Sequence, residues 1–393
     1  MFRSLFLGAV ACALWAQAPA PPLTYDALLG RAKPDPGLLR LEADLAARER
    51  QLAATGGLLR EGPTVLAETG RRVGPVTTTT DKFAQVDAPL LLAPGIRGEA
   101  RRSLDSTQRT VLTLGKAEAR VRLHQAYLDA WLAQAQLRLR TGQLAAMEDW
   151  LRVAHARVES GSDPAYQEDL VRGDLARQRT ELGDAQRRAA EAWGTLRALA
   201  ELPPDPLPLA DPGPAALPDP APLPAAFEVG LARRALADRL ASEQAAFQLQ
   251  QSVRNARWSL KGSYASEGEE RITRLGLAYR LPRPGELGAQ RREETTGRAA
   301  LQREGEAAAL QLASRFQTAL ARLRTFGEPP DSRGFAAALQ AVDLRLKEGK
   351  ERPSEALLLR RQLLEAEAAT LQRLRDAHAL TAELDLLTLG DAR

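Results

Sequence analysis

The residue types with the clearest chemical logic lie in two short alternating stretches, and that chemistry is the partition of side chains between two solvents. In the first, Trp258, Leu260, Gly262 and Tyr264 fall on one side and Ser259, Lys261 and Ser263 on the other. In the second, Leu275, Leu277, Tyr279 and Leu281 oppose Arg274, Gly276, Ala278 and Arg280. Successive side chains of a strand point to opposite faces, so this pattern suits a strand that meets lipid on one side and water on the other. Trp258, Leu260, Tyr264, Leu275, Leu277 and Tyr279 are therefore the candidate lipid-facing residues, with the three aromatic rings suited to an interfacial girdle. An earlier pair of stretches is weaker: Ala84, Val86 and Ala88 oppose Gln85 and Asp87, while Leu66 and Glu68 share a face. A half-buried sheet in a soluble protein alternates in the same way, so this pattern alone leaves both environments open.

Catalytic chemistry finds little support. His124, His155 and His378 are dispersed, two of them within long helical stretches beside charged neighbours. There is no cysteine pair, metal-spaced histidine pair, phosphate-binding glycine loop or nucleophile elbow. Glu269-Glu270 and Glu293-Glu294 read as solvated carboxylates. No catalytic, cofactor-binding or metal-binding residue is expected, and no cofactor.

The 54 basic and 50 acidic residues give a net charge of only +4. They are interspersed along helical faces, whereas nucleic-acid binding needs a concentrated basic patch; no nucleic-acid partner is expected. Ala, Leu, Arg, Glu and Gln dominate and aromatics are 5%, a profile of long helices and coiled coils. Residues 1–18 read as a signal peptide: Arg3 near the start, an apolar run from Ser4 to Trp15, and Ala16-Gln17-Ala18 as a small-x-small cleavage motif. Pro19 just after the cut leaves the cleavage point open. The only cysteine, Cys12, lies inside this segment, so the mature chain has no disulfide. A lipidated Cys12 is the alternative, although Ala9 replaces the usual Leu three residues earlier. No other stretch reaches the ~18 apolar residues of a membrane helix, so membrane entry requires β-structure.

The elements that must position the strands come in two copies. Arg157-Val158-Glu159-Ser160-Gly161 and the helical run to Leu202 recur 188 positions later as Arg345-Leu346-Lys347-Glu348-Gly349 and a run to Leu389. The first repeat is expected over 24–202, with helix to about residue 60 interrupted at Pro34 and Pro36. Strands are expected at about 63–70 and 82–92, with Thr77–Asp81 in the loop between them. A proline-free helix follows from Gly98 to Glu159, ~90 Å long at 1.5 Å per residue, then a turn at Gly161–Pro164 and a second helix, Ala165 to Leu202. Residues 203–224 hold ten prolines, which no helix or central strand tolerates; they are expected to form an extended connector. The second repeat, 225–390, is expected to contain a helix from Ala225 to Ala256, strands at 258–265 and 272–281, a helix from Gly288 to Phe326 interrupted at Pro329-Pro330 and resumed over 333–348, a turn at Gly349, and a last helix, Pro353 to Leu389. Leu357, Leu364 and Leu371 give that last helix a coiled-coil strip.

Counting then favours an assembly. Four strands cannot close a barrel, which needs about eight or more, and the helices carry more apolar stripe than one chain can cover. Several copies contributing to one tube solve both problems.

With this order of elements the chain resembles the TolC-like outer membrane efflux proteins over nearly its whole mature length. The resemblance rests on Arg157-x-x-x-Gly161 and Arg345-x-x-x-Gly349 before a helix, and on the repeat endings Leu196-x-x-Leu199 and Leu384-x-x-Leu387-x-x-Gly390. The strand-to-helix junctions fit as well: Ala88-Pro89-Leu90-Leu91 with Gly95 and Arg97, and Arg280-Leu281-Pro282 with Gly285 and Gly288. Arg31-Ala32-Lys33-Pro34 followed by Leu38-Leu39 resembles the family's N-terminal signature, with Lys where Asn is usual. The resemblance implies a mainly α fold with a small membrane β part. It implies a homotrimer whose 12-stranded β-barrel sits in outer-membrane lipid and whose α-helical barrel extends into the periplasm. It implies a passive exit duct that docks with a periplasmic adaptor and an inner-membrane pump of RND or ABC type. Gly161 and Gly349 mark the candidate adaptor-docking turns. Glu355 falls where the family's periplasmic gate carboxylate would sit, while a second acidic position falls on Leu358. The alternative is a soluble periplasmic helical adaptor or scaffold that never enters the membrane.

Overall fold

The protein is represented by a computed structural model, which describes residues 21–54, 63–73, 78–90, 94–255, 257–267, 270–327 and 333–390. The expected signal segment, Cys12 and the Pro329-Pro330 interruption lie outside these residues. The elements run in the order α1 (Tyr25–Leu29), α2 (Pro36–Ala54), β1 (Thr64–Val73), β2 (Thr78–Leu90), α3 (Pro94–Glu159), α4 (Tyr166–Leu199), α5 (Leu223–Glu228), α6 (Leu231–Arg254), β3 (Trp258–Glu267), β4 (Glu270–Tyr279), α7 (Glu286–Thr325), α8 (Arg333–Lys347) and α9 (Pro353–Thr388). The fold is therefore mostly helical with one small antiparallel sheet. The absence of proline between Gly95 and Glu159 lets α3 run unbroken for 66 residues.

The described chain divides into two compact units. The first draws on Met1–Lys33, Leu123–Ala215 and Pro329–Asp376. Its core is Met147, Trp150 and Ala154 of α3, Val171 and Leu175 of α4, Val342 and Leu346 of α8 and Ala356 of α9. Trp150 is fully buried, and burying such a side chain contributes ~2–3 kcal/mol. The proline-rich segment is extended, as its composition requires, and residues 203–210 are fixed in place within this unit. Leu23 N donates to Pro208 O at 2.8 Å and Ala210 N to Leu23 O at 3.0 Å. Gln134 brackets Leu209, donating to Leu207 O at 2.9 Å and accepting from Leu209 N at 3.2 Å. Trp193 Nε1 lies 3.3 and 3.2 Å from the carbonyls of Pro203 and Pro204. The Tyr127 hydroxyl sits 2.8 Å from Ala210 O; burial, with a smaller effect of Asp211, pushes its pKa up to about 12, which keeps it a donor. Helix side chains thus grip the carbonyls of Pro203, Pro204, Leu207 and Ala210, which the proline-rich segment, poor in N–H groups, leaves free to accept.

The second unit draws on Pro34–Arg122, Ala216–Glu328 and Ala377–Arg393. Its main apolar cluster joins Leu223 and Phe227 of α5, Phe316, Ala319, Leu320 and Leu323 of α7, and Leu380, Leu384 and Leu387 of α9. Phe227 and Phe316 stack with ring centroids 4.2 Å apart. A smaller cluster of Ala100, Ala245 and Leu249, flanked by Leu52, Ile96 and Val253, joins α2, α3 and α6.

Three local expectations are corrected. Thr78–Asp81, expected in a loop, belong to β2 and pair with Gly70–Val73 of β1; β-branched threonines favour extended backbone. The helix expected from Ala225 to Ala256 is two helices, α5 and α6, separated at Val229-Gly230. A Cβ on Gly230 would come within 2.9 Å of Leu387 O, and Leu231 N donates to Leu389 O at 2.7 Å, so the chain breaks where it must touch the end of α9. Finally, Leu223 and Pro224 start a helix rather than end the connector, because proline is tolerated in a first helical turn.

Candidate functional site

Two hairpins distant in sequence join edge to edge into one sheet of order β1-β2-β3-β4. The pairing Leu90↔Trp258 and Val86↔Gly262 links β2 to β3. Because directly paired residues share a face, the register settles which side chains lie together. One face carries the rows Leu90–Trp258–Tyr279, Ala88–Leu260–Leu277, Val65–Val86–Gly262–Leu275 and Ala67–Ala84–Tyr264–Thr273. All six candidate residues, Trp258, Leu260, Tyr264, Leu275, Leu277 and Tyr279, are on this face. The rings of Trp258 and Tyr279 adjoin, with centroids 4.9 Å apart. The apolar face is open: Leu275 is 79% exposed, Leu277 65% and Val65 64%. The opposite face carries Asp87, Lys261, Gln85, Ser263, Arg274 and Glu68, with Lys261 and Asp87 3.5 Å apart. That face is not wholly polar: the exposed Leu66 lies on it, and so do Phe83 and Ile272 in the row Glu68–Phe83–Ala265–Ile272. The strands are ten to thirteen residues long, enough for a tilted strand to cross a hydrocarbon core. Sequence reasoning missed Val65 as a member of the apolar face; its register to Val86 was the missing signal.

The junction from β4 to α7 is held by Glu286. Its carboxylate accepts from Arg283 N at 2.8 Å and lies 3.1 Å from Arg280 and 3.8 Å from Arg257. That backbone hydrogen bond, then the two guanidinium groups, hold its carboxyl below the usual carboxylate range.

The second candidate region is the pair of helical turns in the first unit. Gly161 and Gly349 adopt left-handed φ values of 73° and 71°, which non-glycine residues reach only at a cost. Their hydrogen bonds match position for position: Gly161 N to Val158 O at 3.0 Å against Gly349 N to Leu346 O at 3.1 Å, and Ser162 N to Arg157 O against Lys350 N to Arg345 O, both 2.9 Å. Each turn also has an arginine–carboxylate brace at the same spacing, Arg157–Asp163 at 2.7 Å and Arg345–Glu351 at 2.9 Å. Those carboxylates were legible in the sequence 188 positions apart and were overlooked. The turns are tied together. Gln167 Oε1 accepts from Ser354 N at 3.2 Å, and Arg157 Nη1 lies 3.4 Å from Glu351 O.

Glu355 lies in the first turn of α9, exposed, with its N–H donated to Arg352 O at 3.1 Å. Its carboxylate makes no ion pair with any described residue. The matching position in the first turn is the buried Gln167. Leu170 and Leu358 also correspond, and both are exposed. Of the histidines, His155 lies between two carboxylates, with Nδ1 3.2 Å from Glu168 and Nε2 3.3 Å from Glu159. A neutral imidazole has one N–H and can donate to only one of them. The hydrogen bond to Glu168 and the charge of Glu159 push its pKa up, with Arg172 opposing.

Among the described residues, no group of three His, Cys, Asp or Glu side chains could hold a metal ion, and no helix is long and apolar enough to cross a membrane. No family model matches the chain, and no curated protein matches it. Solved structures do. The outer-membrane channel OprN is 20% identical, with a TM-score of 0.67 over 93% of this chain and 89% of that one. The Campylobacter jejuni CmeC outer membrane channel is 12% identical, with a TM-score of 0.68 over 91% and 83%. The open-state Neisseria gonorrhoeae MtrE outer membrane channel is 16% identical, with a TM-score of 0.67 over 93% and 88%. A four-stranded sheet with one apolar face, set on long helices, is thus similar along most of its length to these channels, and the chain has the fold of the TolC-like outer membrane channels.

Proposed function

We propose that this protein is a passive outer-membrane exit duct of a tripartite efflux or secretion system. The observation that carries the reading is the continuous exposed apolar face across all four strands. Such a face, with Val65, Leu275 and Leu277 largely in water, would lose apolar contact with water at ~25 cal/mol per Å² on entering lipid. The sheet edges, β1 and β4, have no partner strand among the described residues, and in a membrane every backbone polar group needs one. Three copies, each giving four strands, would form a closed 12-stranded barrel, with the polar face of Asp87, Lys261, Ser263 and Arg274 lining the water-filled interior. The helices would continue into the periplasm as a helical barrel. The two matched turns support the reading of two repeats, 24–202 and 225–390, and are the surfaces offered to a periplasmic adaptor, which would couple the duct to an inner-membrane pump. Glu355, exposed and without an ion-pair partner among the described residues, is the proposed gate carboxylate. No step of this role makes or breaks a covalent bond.

The test is extraction of the full chain from membranes. A detergent-requiring trimer whose migration changes on heating supports the duct, and a soluble periplasmic monomer overturns it. Leu277→Arg on the apolar face should cost ~2–4 kcal/mol of insertion if that residue is near mid-membrane. Ser263→Arg on the polar face should be tolerated.

A further inference from the structure

Beyond the apolar rows, the sheet sorts its charges by face. The next row towards the hairpin ends is Thr69–Lys82–Ser266–Arg271, and Arg71 follows two residues along β1 from Thr69. Lys82, Arg271 and Arg71 lie on the apolar face and are exposed; none forms an ion pair with a described residue. The polar face nearby carries the acids Glu270, next to Arg271 in sequence, and Glu68, next to Thr69 of the same row. At the other end of the same face the order differs. There the apolar rows end at Trp258 and Tyr279, and the nearby cations Arg257 and Arg280 are both engaged by Glu286.

From this one-sided arrangement we propose that Lys82, Arg271 and Arg71 form a binding surface for the phosphate groups of anionic membrane lipids at the hairpin end of the sheet. The inference rests on the membrane reading above. Three features identify the partner. The cations continue an apolar face that ends at the single aromatic ring of Tyr264, which is the order of a lipid layer from chain to interface to headgroup. Ser266 is two positions beyond Tyr264, so the cationic row lies about 7 Å further along the strand, within reach of long side chains that extend to a headgroup. Lys82 and Arg271 lie two strands apart, about 10 Å, so each can meet a separate phosphate while Arg71 flanks the first. A guanidinium also grips phosphate through two parallel hydrogen bonds, whereas Lys82 acts as a point charge. Among the described residues, carboxylates of the sheet are confined to the other face, so no described acid on the lipid side neutralises these groups. The structure thereby gives the sheet a direction: its hairpin end belongs at the more anionic headgroup layer.

The experiment compares the full chain, the triple variant Arg71→Gln/Lys82→Gln/Arg271→Gln, and the opposite-face control Glu68→Gln/Glu270→Gln. Each is reconstituted into phosphatidylcholine vesicles with or without a fifth, roughly 20%, of anionic phosphate lipid. Protein floated with the vesicles measures insertion, and phosphate lipid retained after detergent extraction measures binding. The expected result is insertion of all three proteins and retention of anionic lipid by the wild type and the control. The triple variant should retain less, by roughly fivefold per cation removed. Equal retention by all three overturns the inference while leaving the membrane reading intact. Failure of the wild type to insert into either vesicle overturns both. Displacement of the lipid by inorganic phosphate at low millimolar concentration would show a site for free anion and overturn the assignment to a membrane surface.

Discussion

The turn at Gly161 and the turn at Gly349 share backbone φ, hydrogen bonds and a bracing ion pair, yet the side chains behind them differ. Position 155 is a histidine between Glu159 and Glu168, largely in water. Its counterpart, Asp343, is held by the guanidinium of Arg360 and accepts from Trp150 Nε1 at 3.1 Å. Arg360 is 7% exposed and stands 5.2 Å over the Trp150 ring. Its counterpart Arg172 is 62% exposed and pairs with Glu168 on its own helix. The braces also differ: Arg157–Asp163 is largely buried, whereas Arg345 is mostly exposed. The comparison shows one backbone solution supported in two ways. The second hairpin is locked by a partly buried cluster of Asp343, Arg360 and Trp150. The first depends on a group that titrates.

Four measurements would break or sharpen that contrast. The largest effect should come from Arg360→Ala, which leaves Asp343 without its ion-pair partner and uncovers the Trp150 ring. A loss of about 2–3 kcal/mol is expected by denaturant unfolding, against about 0.5 kcal/mol or less for Arg172→Ala. Equal losses would show that the two clusters are energetically alike. Next, Gly161→Val and Gly349→Val should each cost about 1–2 kcal/mol, since both impose a left-handed φ on a β-branched residue. A marked difference would mean that one turn can relax its backbone. Third, Arg157→Ala should destabilise by about 1–2 kcal/mol because it removes a largely buried guanidinium from the buried Asp163, while Arg345→Ala, whose guanidinium is mostly in water although Glu351 is not, should cost less, about 0.5–1 kcal/mol.

The fourth is a pH effect confined to the first turn. The folded pKa of His155 is raised above its ordinary value, so its contribution is fully present below about 6.5 and is lost as pH rises through the higher folded value. Amide exchange over residues 155–172, corrected for intrinsic rates, should therefore quicken between about pH 6 and pH 8, with 343–360 unchanged. His155→Gln should abolish the response. A pH response that survives that substitution would assign it to other groups.

The recurrence of Arg157-x-x-x-Gly161 as Arg345-x-x-x-Gly349, 188 positions on, made much of this legible in advance. Gly161 and Gly349 were identifiable because a helical hairpin needs a left-handed residue, and Arg157 and Arg345 repeat with them. The six candidate lipid-facing residues were legible for a different reason: alternation in a strand is a local property and needs no knowledge of the partner. Asp343, Arg360 and Trp150 were not legible as a cluster, because they come from three helices whose own patterns explain each residue separately. Glu355 was found only through the resemblance, and its exposed carboxylate carries no local signature of a gate.

By itself, the sequence determined the lengths of the long helices, the places where the chain turns and the two faces of β3 and β4. These depend on proline, glycine and residue periodicity, all of which act over a few neighbours. The tertiary structure decided the rest. It joined Leu90 to Trp258 across 168 positions, making one apolar face from two hairpins, of which only the second was clear in the sequence. It also fixed the proline-rich segment against Tyr127, Gln134 and Trp193, and broke a helix at Gly230. Each of these depends on which distant backbone comes within hydrogen-bonding distance, and such pairing leaves no periodic trace in either partner.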